Sequence, residues 1–80
     1  MTQVLITKHE VTEAGKFVQL SCGKASAEIW IANDHLFVCC QNASHRVWRG
    51  LGKRFDNAAQ ALDNYKSSAM KAMILAAVEA

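Results

Sequence analysis

Proline is absent from this 80-residue chain, glycine occurs only four times, and there is a single tyrosine. Breaks in its pattern therefore rest on the few glycines and on Asn, Asp and Ser. No apolar stretch approaches the ~18 residues that a spanning helix needs, so no membrane association is expected. The opening residues Met1-Thr2-Gln3-Val4-Leu5-Ile6-Thr7-Lys8 lack a basic region, a long apolar core and a cleavage site, so no signal peptide is expected either. Charge of one sign is also lacking. Nine Lys and Arg against seven Asp and Glu leave a net charge of +2, milder than dedicated nucleic-acid modules show. The cysteines, Cys22, Cys39 and Cys40, are odd in number. Without a signal peptide they point to reduced thiols and a cytoplasmic location. What the chain does have is apolar content: 51% of its residues are hydrophobic, which excludes a disordered chain. The length implies one domain, residues 1–80, whose folded monomer buries only about 60–65% of its unfolded surface.

The first two-thirds reads as strands. Val4-Leu5-Ile6-Thr7 is a short β-branched run, and Glu13-Ala14-Gly15-Lys16 is a turn signal. Phe17 to Cys22 forms the next strand, and Gly23-Lys24 a tight turn. From Ala25 the chain alternates, with Ala25, Ala27, Ile29 and Ile31 on one side and Ser26, Glu28 and Trp30 on the other. Asn33-Asp34 supplies a hairpin, residues 35–41 the following strand, Asn42-Ala43-Ser44 another turn, and residues 45–49 a last strand. Strands repeating about every 8–12 residues suit an antiparallel meander.

Gly50 and Gly52 then allow the chain to leave the sheet. Asp56 is a suitable N-cap, and residues 57–79 are rich in the strong helix formers Ala, Leu, Met, Lys and Gln. Ala58, Leu62, Tyr65, Ala69, Ala72 and Ala76 recur at intervals of three and four as one apolar stripe, widened by Met70, Met73, Ile74 and Ala77. One long helix over 56–79 outruns a small sheet: either it bends, with Ser67-Ser68 as the place, or its C-terminal turns project beyond the sheet. The expected fold is α+β: a four- or five-stranded antiparallel β-meander packed on one long C-terminal helix.

Sorting the strands by side-chain parity gives two unlike faces. One collects Val18, Leu20, Cys22, Ala27, Ile29, Ile31, Leu36, Val38, Cys40 and Val47. The other collects Phe17, Trp30, Phe37, Cys39 and Trp48, mixed with Gln19, Glu28 and Arg46. One helix covers one face. The aliphatic set matches the small residues of the helix, which leaves the aromatic set open; the competing arrangements are a helix over the aromatics, a register slip at a bulge, and an N-terminal segment that closes part of the face. An open aromatic face is a mark of interaction surfaces.

Residues 45–54, His-Arg-Val-Trp-Arg-Gly-Leu-Gly-Lys-Arg, hold four of the nine basic residues and one of the two tryptophans. Such a segment can grip phosphates and stack on bases, or it can be a solvated edge whose charges block aggregation. Arg46-Val47-Trp48-x-Gly50, followed by Phe55-Asp56 and by Ala58, Ala61, Tyr65 and Ala69, resembles the last strand and helix of AP2-type DNA-binding domains, relatives of the arm-binding domains of phage integrases. The resemblance spans about 25 residues and implies a sheet packed on a helix. Three extra residues separate Gly50 from Phe55, at least one extra strand precedes, and residues 25–41 carry no counterpart of that family's Arg- and Trp-rich base-reading strands. In size and style the chain also resembles small accessory proteins of phages and mobile elements, including anti-CRISPR proteins.

Catalytic patterns are missing. There is no C-x-x-C and no H-x₃-H, so neither zinc nor any other metal or cofactor is expected. Cys39 and His35, four residues apart on one strand face, lie ~13 Å from each other, too far for a nucleophile pair. Gly50-Leu51-Gly52-Lys53 is too short for a phosphate loop and lacks the following Ser or Thr. The expectation is a non-enzymatic binding protein that occupies a surface on a larger protein or nucleoprotein complex, in the manner of a phage-type inhibitor. Its site residues would be Trp30, Phe37, Arg46, Trp48, Arg49, Lys53 and Arg54, because aromatics and Arg dominate interface energetics. The alternatives are direct DNA or RNA binding through residues 45–54 and a structural homodimer formed by pairing of sheet faces.

Overall fold

Alternating side chains and two-residue turns build the sheet. The computed structural model describes residues 3–41 and 52–80. Five antiparallel strands run in chain order, β1 (Val4–Thr12), β2 (Gly15–Cys22), β3 (Ala25–Ala32), β4 (Leu36–Gln41) and β5 (Lys53–Phe55), each beside its sequence neighbour. Two helices follow, α1 (Ala58–Asn64) and α2 (Ser68–Glu79).

The turns explain the glycines. Gly23 has φ 64°, the left-handed conformation that a glycine-first two-residue hairpin demands, and it closes the Cys22–Ala25 pair. Gly15 has φ 152° and opens β2 opposite Ala32; a Cβ there would lie 2.1 Å from the Ile31 carbonyl oxygen. At the β3–β4 turn the Ala32 amide donates to the His35 carbonyl at 2.9 Å.

On the helix side, the buried residues follow the expected parity. Val18, Leu20 and Cys22 of β2, Ala27 and Ile29 of β3, Leu36 and Val38 of β4 and Phe55 of β5 are buried against Ala61 of α1 and Met70, Met73, Ile74 and Ala77 of α2. Each large side chain fully buried in this layer contributes about 1.5–3 kcal/mol relative to exposure. Phe55 also meets Tyr65 edge to face, with ring centroids 5.9 Å apart. Among the described residues no charged or polar side chain is buried.

Five expectations need correction. The helix over 56–79 is two helices, broken at residues 65–67. Ser67 turns extended and its Oγ accepts from the Met70 amide at 3.3 Å, so it starts a new helix where a bend or an overhanging end was expected. The break resets the phase of the apolar stripe. Ala58, Leu62, Tyr65, Ala69, Ala72 and Ala76 are only half-buried, and the residues expected to widen the stripe are its centre. The N-cap of α1 is Asn57, not Asp56; its Oδ1 accepts from the Gln60 amide at 2.9 Å while Gln60 Oε1 accepts from the Asp56 amide at 3.0 Å. Lastly, β1 runs on to Thr12 through a bulge between Ile6 and Lys8, and Lys53–Phe55 is a strand. The strand expected over residues 45–49 lies outside the described residues.

Lys16 fastens the layers together. Its Nζ donates to the carbonyls of Val78 at 2.9 Å and Ala80 at 2.5 Å, so a β2 side chain caps the last turn of α2, where the helix dipole favours a cation.

Candidate interaction surface

Both described helices pack on the aliphatic face, so the opposite face carries the second parity set. Registers of all four ladders align one row straight across the sheet: Glu10 opposite Phe17, Phe17 opposite Trp30, Trp30 opposite Phe37, and Phe37 opposite Arg54. Three aromatics thus stand on neighbouring strands, about 4.8 Å apart in the pairing direction, with a carboxylate at one end and a guanidinium at the other. Phe17 and Trp30 are half-buried, whereas Phe37 keeps 39% of its surface exposed. The next row is polar, with Lys8, Gln19, Glu28 and Cys39 in register.

Gly52 explains how Phe37 is held. A Cβ at Gly52 would fall 2.0 Å from Phe37 Cε1 and 2.7 Å from Cys39 Sγ, so the ring lies over the glycine backbone. The bare glycine gives the aromatic a seat that any side chain would deny it. The sequence reading assigned this glycine only a role in bending the chain.

Charges sit at the two ends of the face. Lys8 Nζ lies 3.3 Å from Glu10 Oε1 at the β1 end. In the β3–β4 turn, His35 Nδ1 lies 2.7 Å from Asp34 Oδ1. That hydrogen bond, helped by the Asp34 backbone amide and by the charges of His35 and Arg54, holds the Asp34 carboxyl below its ordinary value.

The sites expected from sequence divide three ways. Trp30, Phe37 and Arg54 are brought together in one row. Lys53 is not: it takes the helix-side parity opposite Val38, and its Nζ donates to Asn64 Oδ1 at 3.2 Å at the end of α1. Arg46, Trp48 and Arg49 lie outside the described residues. Two members of the row were missed. Phe17 belongs to this face by parity but is not among the expected site residues, and Glu10 lies past Thr7, where the expected first strand ends.

The arrangement offers stacking, apolar contact and a charge at either end. Among the described residues no group of three or more His, Cys, Asp or Glu side chains could hold a metal ion. No described helix is long and apolar enough to cross a membrane. Comparisons with protein-family models, with curated proteins and with solved structures found no match.

Proposed function

We propose that the protein is a small non-enzymatic binding protein that docks its aromatic row on a larger protein or nucleoprotein complex, in the manner of phage-type inhibitors of the anti-CRISPR kind. One observation carries this reading: Phe17, Trp30 and Phe37 are aligned across three strands on the face opposite both described helices. Aromatic anchors ended by Arg supply most of the energy at protein interfaces. Direct binding to nucleic acid draws less support, because Lys53 is engaged with Asn64 and, among the described residues, Arg54 is the one basic side chain in the row.

The test compares three tagged chains in a bacterial lysate: the wild type, a Trp30→Ala/Phe37→Ala variant, and a Lys71→Ala/Leu75→Ala variant altered on the exposed side of α2. The reading expects a partner retained by the helix variant and lost by the aromatic one, with circular dichroism showing both folded. A partner set that survives the aromatic changes refutes the choice of face. Anisotropy with labelled duplex and single strand reads the nucleic-acid alternative, whose affinity would fall steeply between low and moderate salt.

A further inference from the structure

We infer that the outer edge of β1 is a self-pairing seam, through which a second copy of this chain extends the sheet from five strands to ten. β1 is the end strand of the sheet and spans nine residues. Every one of them from Leu5 to Thr12 is exposed, and Leu5, Ile6 and Val11 are three of the six large hydrophobics that stand in solvent among the described residues. An edge of this length presents a row of backbone donors and acceptors to any strand that can approach it.

Which strand fits is set by charge. Two copies meeting edge to edge about a twofold axis normal to the sheet pair antiparallel, with opposed residues on the same face. Past the bulge at Ile6/Lys8, the regular segment carries Lys8 and Glu10 on the open face, one residue either side of His9. Centring the twofold on Lys8 sets two ammonium groups opposite one another, and centring it on Glu10 sets two carboxylates opposite one another; both are unfavourable. Centring it on His9 places Lys8 of each copy opposite Glu10 of the other, and Thr7 opposite Val11. The strand is therefore complementary to itself in one register and repelled in its neighbours. At the bulge, Thr7 Oγ1 donates to the Gln19 carbonyl at 3.1 Å, toward β2 and away from the outer edge. In the dimer all helices lie on one side, and the two open faces become one continuous face carrying two aromatic rows.

Edge pairing alone buries less area than a standard interface, so the association is weak, with half-dimerisation at about 10–100 µM. Sedimentation equilibrium on the wild type, the Lys8→Glu variant, the Glu10→Lys variant and an equimolar mixture of the two variants tests it. The wild type should dimerise, and each variant alone should be monomeric at tenfold higher concentration, since each now opposes like charges. The mixture should regain the dimer, because an acidic strand then meets a basic one; this also shows that neither variant lost dimerisation by misfolding. A wild type that stays monomeric at 500 µM (roughly five times the weakest expected constant), or a dimer that both reversals leave unchanged, overturns the inference.

Discussion

Replacing Gly15 by alanine should be among the most damaging single-methyl additions this sheet can receive. The new Cβ would lie 2.1 Å from the Ile31 carbonyl oxygen and 3.1 Å from Ala32 Cα, both backbone atoms that no rotamer change can move. The φ of 152° adds strain of about 1–3 kcal/mol for a residue with a Cβ. Relieving the clash parts β2 from β3 at the Gly15–Ala32 pair and weakens about one ladder hydrogen bond, worth roughly 0.5–1.5 kcal/mol. The sum is about 1.5–4.5 kcal/mol, a large part of the roughly 4–12 kcal/mol available to a domain of this size. Gly23→Ala serves as the internal comparison. Its φ of 64° carries positive-φ strain of about 1–3 kcal/mol alone. Urea denaturation followed by circular dichroism gives both values from the shift in midpoint, provided the slope is unchanged. If Gly15→Ala proves no more destabilising than Gly23→Ala, the close β2–β3 approach described above is wrong.

Two further predictions concern charge. Lys16→Met keeps the aliphatic stem but removes the cation that caps α2. Stability should fall by about 0.5–1 kcal/mol, and hydrogen exchange should accelerate in the last turn of α2 while β3 stays protected. Asp34 should titrate below its ordinary value of 3.8. A depressed carboxyl stabilises the fold above its unfolded value and loses that contribution as pH falls through the folded one. An NMR titration should therefore place its midpoint low, and His35→Ala should raise it; an unmoved midpoint denies the hydrogen bond its leading part.

Much of the architecture was legible because three central strands alternate cleanly. Val18, Leu20, Ala27, Ile29, Leu36 and Val38 declared the helix side, and Phe17, Trp30 and Phe37 the other. What escaped was at the margins, for physical reasons. Residues 8–12 of β1 are exposed on both faces, so no burial pattern marks them, and the bulge at Ile6/Lys8 shifts the parity of what remains. β5 is three residues long and only Phe55 is buried, too short a run to show a period of two. The helix break has neither Pro nor Gly: an ordinary serine ends one helix by capping the next, and sequence marked the place but not the severity. The row itself depends on cross-strand register, which turn lengths fix and side-chain alternation alone does not.

The order of the elements has a consequence for synthesis. Every strand pairs with the one made just before it, so the sheet can assemble hairpin by hairpin as the chain emerges. Most of the residues that seal its aliphatic side, Met70, Met73, Ile74 and Ala77, are in α2, translated after all five strands. Until α2 docks, the nascent meander is apolar on two sides at once, the state in which a small β protein is most exposed to aggregation. Substitutions that slow helix docking should therefore cut the yield of soluble protein by more than their effect on the finished fold would suggest.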